Sequence, residues 1–181
     1  MKKSVLVVLT DGFEEIEAIT PIDLLRRAET EVTVASATDS LEVTGKMGVV
    51  LRTEALLDAC LANDYDLLVL PGGPGVFALR QNPRLLELIR SRVEASLPVA
   101  AICAAPLLLK DAGVLEGKAH TAHGTVSNEL PDMQEGVAVV EDLPVITSQG
   151  PGTAFAFGLA LVRLLRGEEV GRRVADETHA D

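Results

Sequence analysis

The stretch Pro98-Val99-Ala100-Ala101-Ile102-Cys103-Ala104-Ala105-Pro106 decides how this chain is read. A short apolar run stops on a cysteine. Small residues follow, and a proline opens the helical pattern Leu107-Leu108-Leu109-Lys110-Asp111-Ala112. This is the grammar of a buried strand feeding a helix through a tight turn. A side chain at such a turn is presented at the strand's end, and neighbouring alanines let the backbone pack closely. The partial positive charge of a helix N-terminus favours thiolate, so the pattern predicts a Cys103 that ionises more readily than a free thiol. Free cysteine is also a common buried residue, so chemistry at Cys103 needs partners.

Working outward, strand-like runs alternate with helical ones. Residues 4–10, 31–37, 66–70 and 98–102 read as strands, and 136–140 and 143–147 as a late strand pair. Residues 13–28, 54–62, 83–95 and 154–165 read as helices, with one more short helix after Gly167. Residues 41–43 and 49–51, around Gly45 and Gly48, suit a hairpin. Residues 118–132 are the least regular and suit a loop over a site. Continuous apolar strands separated by helices predict an α/β fold with a mainly parallel sheet covered on both faces. Residues 1–181 then form one domain, and the site lies beyond the strands' carboxyl ends. The turn after the first strand, Gly72-Gly73 and Cys103 all converge there.

The chain is 48% hydrophobic but only 3% aromatic, so its core is aliphatic. A net charge of −11 argues against a nucleic-acid backbone or an anionic membrane surface as partner. No apolar run reaches the roughly 18 residues of a membrane span, and the start carries no signal-peptide pattern. Two cysteines make no disulfide framework, which predicts a reducing, cytoplasmic setting.

Glu17 is the first candidate partner. On a helix it shares a face with Pro21, Leu24, Leu25 and Ala28, and is the lone carboxyl there. Burial raises a carboxyl's pKa, so Glu17 can hold a proton near neutrality and shuttle it. Glu14 and Glu15 read as exposed first-turn acids, favoured by the helix dipole. His123 is the second candidate, as a base or a substrate-orienting group. His120 and His123 make a His-x-x-His pair, but on an extended segment they face opposite ways, so no metal site is expected. The backbone N–H groups of Gly72 and Gly73 can stabilise an oxyanion. Gly73-Pro74-Gly75 is a weak match to a dinucleotide fingerprint, because it lacks the acidic partner. Cys60 reads as packing.

Five segments in order resemble the ThiJ/PfpI superfamily, in particular its branch of parkinsonism-associated deglycase and bacterial YajL-like proteins. They are Gly12-Phe13-Glu14-Glu15-Ile16-Glu17, residues 21–28, residues 66–73, residues 100–106, and Thr147-Ser148-Gln149-Gly150-Pro151-Gly152-Thr153. The resemblance spans about residues 4 to 170. It implies a flavodoxin-like sandwich with a cysteine nucleophile elbow, a homodimer and no cofactor. It also implies that Cys103 is the reactive cysteine, that Glu17 hydrogen-bonds it, and that Gly72, Gly73 and Ala104 line an anion pocket. It places His123 beside the cysteine, although Gly124 stands where a proline is common. Arg27 matches a pocket-rim arginine. A second such arginine is replaced by Lys46 or Met47, and Gln149 fills a further position that can be Arg.

The activity so implied is cofactor-independent turnover of a small reactive carbonyl, or of a glycated protein or nucleotide, as a glyoxalase or deglycase protecting against oxidative stress. The alternative is a redox-sensing stress protein or chaperone that uses an oxidisable cysteine without turnover. A cysteine peptidase ranks third, because Ala104 stands where that branch has histidine.

Overall fold

The computed structural model describes residues 2–180. Its strands are β1 (Ser4–Leu9), β2 (Glu31–Ser36), β3 (Glu42–Thr44), β4 (Val50–Arg52), β5 (Ala55–Leu56), β6 (Leu67–Leu70), β7 (Val99–Ile102), β8 (Val139–Asp142) and β9 (Val145–Ser148). Its helices are α1 (Glu15–Arg27), α2 (Leu57–Cys60), α3 (Val76–Leu79), α4 (Pro83–Glu94), α5 (Pro106–Asp111), α6 (Ala154–Arg166) and α7 (Glu168–Thr178). Seven strands form one sheet in the order β5-β2-β1-β6-β7-β9-β8. All its pairings are parallel except β8 with β9. The hairpin β3–β4 stands apart as a two-stranded sheet.

Side chains of β1 alternate between two apolar layers. Leu6 and Val8 pack with Leu85 and Ile89 of α4 and Leu107 to Leu109 of α5. Val5, Val7 and Leu9 pack with Leu24 and Leu25 of α1, Phe157 and Leu161 of α6, and Val174 of α7. This period-two division explains why the strands read as continuous apolar runs: both faces are covered. The fold is the expected flavodoxin-like three-layer α/β sandwich.

Two local expectations differ. Residues 54–62 read as a helix but begin as the edge strand β5. The Glu54 carboxylate accepts from the Val34 N–H at 2.8 Å and pairs with Arg26 at 2.7 Å, tying this segment to β2. The short helix α3 went unread because the glycines before it resemble a plain turn.

The order β1-β6-β7-β9 places four strand ends side by side. The loops that leave them carry Asp11–Glu14, Gly72-Gly73, Cys103 and Gly150. That juxtaposition builds the site.

Candidate active site

Cys103 directly follows β7 and has φ +67°. A non-glycine residue in this left-handed region is strained, and only surrounding bonds hold it. Here both backbone groups are pinned. Cys103 N–H donates to Ser148 O at 2.9 Å, and Cys103 O accepts from His123 N–H at 2.9 Å. The elbow read from the sequence is therefore present. Cys103 is half-buried, whereas Cys60 is buried at 3% exposure.

Glu17 sits in the first turn of α1, fully buried, on the apolar face with Pro21, Leu24, Leu25 and Ala28. Its Oε2 accepts from Gly72 N–H at 2.9 Å. The bond is part of a stitch, because Glu14 N–H donates back to Gly72 O at 3.0 Å. Glu14 is not the exposed acid its position suggested. It is buried and caps α1, accepting from Glu17 N–H at 2.8 Å. Glu15 is also engaged, accepting from Met47 N–H at 2.7 Å and so fixing the β3–β4 turn.

The glycines are needed for close approach. A Cβ on Gly72 would lie 2.5 Å from Glu17 Oε2 and 2.6 Å from Cys103 Cβ. Gly73 has φ +99°, and a Cβ there would meet Gly12 O and, at 2.6 Å, Glu14 N. The expected oxyanion role divides between them. Gly72 N–H is already committed to Glu17, whereas the Gly73 and Ala104 N–H groups act on the Cys103 thiol and favour its ionised form.

Burial raises Glu17 from 4.5 to about 7, opposed by its contact with the Cys103 thiol and reinforced by the Glu14 charge. Burial, then the Glu17 charge and the Glu17 hydrogen bond, push the Cys103 thiol up to about 12, against the Gly73 and Ala104 N–H groups. This reverses the expectation of an acidified thiol for the state in which Glu17 is ionised. α5 has only six residues, and burial outweighs whatever its N-terminus supplies. Protonating Glu17 removes the repulsion and turns the carboxyl into a donor, so a thiolate is compatible only with a neutral Glu17. With Glu17 near 7 and the thiol near 12, the pair holds two protons below neutrality and one above it, which can lie on sulfur or on the carboxyl. Glu17 Oε1 is buried and has no hydrogen-bond partner by geometry among the described residues.

His123 lies on the opposite flank. A Cβ on Gly150 would be 3.2 Å from His123 Cδ2 and 3.7 Å from Glu17 Oε1, so that glycine keeps space open between them. Nδ1 of His123 accepts from Thr125 N–H at 3.2 Å and lies 2.9 Å from Thr125 Oγ1. In the neutral ring this leaves the proton on Nε2, which is then a donor. Gly150 and Thr125 were not singled out from the sequence. Gly150 is held in turn by its N–H to Thr153 Oγ1 at 3.1 Å, and that hydroxyl is 2.7 Å from Ser148 Oγ.

The cluster thus holds Cys103, Glu17, Gly72, Gly73, Ala104 and His123. Arg27 is corrected. It lies in the last turn of α1, ten residues or about 15 Å along the helix from Glu17. It is exposed and pairs with Asp23 at 2.6 Å, because the i,i+4 carboxylate is its nearest partner. No cluster of three or more His, Cys, Asp or Glu side chains suited to a metal occurs among the described residues. Among the described residues no helix is long and apolar enough to cross a membrane.

The model of the DJ-1/PfpI family matches residues 3–164. The chain is 40% identical to Protein DJ-1 homolog B of Arabidopsis thaliana over 96% of its own length, and spans 40% of that relative's length. A Thermococcus kodakarensis protein named as a deglycase is 33% identical over 90% of this chain and 99% of its own. The crystal structure of Drosophila melanogaster DJ-1beta superposes with a TM-score of 0.97 at 36% identity, covering 100% of both chains.

Proposed function

The chain belongs to the DJ-1/PfpI family, and on that premise we propose that it is a cysteine-dependent enzyme acting on small reactive carbonyls. The chemistry is that of a glutathione-independent glyoxalase or of a deglycase for glycated proteins or nucleotides, with no cofactor. The observation that carries this reading is the juxtaposition of a fully buried Glu17 carboxyl and a half-buried cysteine on an elbow, so close that a Cβ on Gly72 would meet both. The name of the Thermococcus relative supports the same class of reaction.

Methylglyoxal is a representative substrate of this class. In the form with the proton on Glu17 and none on sulfur, the Cys103 thiolate attacks the aldehyde carbon and Glu17 gives its proton to the aldehyde oxygen, forming a hemithioacetal. The carboxylate so formed removes the hydrogen on that carbon, and the electron pair moves to the adjacent carbonyl. Glu17 returns the proton to the second carbon while the hydroxyl proton of the first carbon passes to the second oxygen, which leaves a thioester. Water hydrolyses it to lactate and restores the thiol. One carboxyl serves as acid and then as base, which requires a pKa near the working pH. The Gly73 and Ala104 N–H groups assist the sulfur and the adjoining oxyanion, and His123 Nε2–H holds the second oxygen.

A second reading is favoured by the difference in exposure between Cys103 and Cys60. Here Cys103 is a redox sensor of a stress protein or chaperone, oxidised to sulfinate and held by protonated Glu17. Purified protein with methylglyoxal and no glutathione decides between them. Lactate formation that vanishes in Cys103→Ala is expected. No lactate from a protein whose Cys103 still oxidises selectively puts the sensor first.

A further inference from the structure

Arg80 lies outside the cluster around Cys103, yet three of the segments that carry that cluster meet on its guanidinium. Arg80 caps the end of α3, the helix that follows Gly73. Its Nε and Nη2 donate to the Asp111 carboxylate at 2.6 and 3.1 Å, and Asp111 ends α5, the helix that follows Cys103. Its Nη1 and Nη2 donate to the Glu129 carboxylate at 2.9 and 2.8 Å. Glu129 closely follows the single 3-10 turn, Gly124–Val126, that the His123 side chain caps. Both pairs are two-pronged, a geometry that fixes orientation as well as distance. The Arg80 and Asp111 side chains are only 20% and 22% exposed, so salt screens their pairing weakly.

The His123 loop has few other directional ties on this side. Among the described residues, 124 to 134 make no hydrogen bond beyond the loop between α5 and β8 except through Glu129. Val126 and Leu130 join the apolar layer of Leu79 and Leu108, but such burial is non-directional. Without the guanidinium, the two carboxylates it joins repel each other, and Glu129 keeps only Lys110 at 3.4 Å. We propose that Arg80 is a positioning residue, which through Glu129 holds the His123 loop in register with the Cys103 elbow. The link is short, because the His123 N–H is itself bonded to the Cys103 carbonyl. Its effect on turnover rests on the carbonyl reading above, whereas its effect on geometry does not.

The test is amide hydrogen exchange of the full chain, read by NMR, in Arg80→Ala and in Glu129→Ala. Glu129 is the more exposed partner, so its variant carries the measurement if Arg80→Ala does not fold. Protection of the His123 N–H should fall by about tenfold. That fall should exceed any change at the Val7 and Val69 amides, which lie in central strands and report global opening. Methylglyoxal turnover per folded molecule should fall in Arg80→Ala. The same change should cost less when His123 is already alanine, because part of the path runs through the imidazole. His123 protection that merely follows Val7 and Val69 in both variants overturns the proposal. Turnover losses that multiply in full in the double variant overturn it as well. A wild type that makes no lactate fails the carbonyl reading alone, because the exchange measurement needs no substrate and still decides the role of Arg80.

Discussion

The His123 N–H donates to the Cys103 carbonyl at 2.9 Å, so the loop that brings the imidazole also holds the strained cysteine in place. Ser148 O does the same for the Cys103 N–H from the other side. The left-handed φ of Cys103 costs of order 1–3 kcal/mol and persists only because these partners fix it. Binding geometry and nucleophile geometry therefore stand or fall together at this site.

Gly73 tests that coupling. With φ +99° and Gly12 O and Glu14 N in the way of a Cβ, Gly73→Ala must shift the N-terminus of α1 that carries Glu17. A loss of about 1–3 kcal/mol in stability is expected from the backbone term alone. Carbonyl turnover should fall by more than the folded fraction explains. Chemical denaturation together with rate per folded molecule measures both. Normal stability with normal turnover would show the approach to be unimportant.

Glu17 makes stability depend on pH with a definite sign. Its folded pKa is about 7 against 4.5 for a free glutamate carboxyl, so between these values the native state holds a proton the unfolded chain has lost. Stability from this group is present below about pH 4.5 and lost as pH rises toward 7. The difference is on the order of 3 kcal/mol at full weight. Glu17→Gln lacks the titration. Its stability relative to wild type should rise between pH 5 and pH 8, read from denaturant midpoints across that window. A constant difference would remove Glu17 as the buried titrating group.

Graded peroxide should convert Cys103 to sulfinate before Cys60 reacts. Exposure and thiolate character govern oxidation, and Cys60 is packed at 3% exposure against Leu57 and its neighbours. Peptide mass spectrometry after each dose reads the order. Cys60 reacting first would reverse the assignment of the reactive thiol.

Ile16 and Ile19 of α1 and Met47, Val49 and Val50 of the β3–β4 hairpin are all exposed, Met47 at 74% and Val50 at 62%. Glu15 fastens the hairpin to α1, so these side chains belong to one region of surface. Exposed apolar patches of this kind mark association surfaces. A homodimer through this face predicts that Val50→Asp shifts the sedimenting species to monomer at micromolar concentration. A wild type that sediments as monomer throughout would refute it.

The elbow was legible because strand, cysteine, alanines and proline are adjacent in sequence, and so was the burial of Glu17, which follows from helical periodicity over residues 17 to 28. The roles of Glu14, Gly150 and Thr125 were not legible. Each depends on a partner brought in by another segment or on a side chain turned back onto its own turn. The titration of Cys103 was misread for a related reason. Sequence reveals the helix that follows the thiol, but the desolvation and the facing carboxylate that push it up arise from the packing of α1 against the ends of β6 and β7. Arg27 shows the converse: a matching position in sequence whose side chain the fold directs to Asp23.

The last prediction separates the two duties assigned to Glu17. In Glu17→Gln the negative charge is gone and an amide N–H can still donate to sulfur, so the thiolate midpoint should fall well below the value of about 12 reached beside an ionised Glu17. Thiolate absorbance against pH, with Cys103→Ser as blank, reads it. Turnover of methylglyoxal should nevertheless drop by about a hundredfold or more, because an amide cannot carry a proton between carbons. Glu17→Leu removes charge and donor together but leaves the burial that raises the thiol, so its midpoint should lie above that of Glu17→Gln and turnover should be lost as well. A Glu17→Gln protein with a lowered thiol midpoint and full turnover would keep Glu17 as a partner of the sulfur. It would also end its role as the shuttle, since the proton would then have to travel by way of His123 or water.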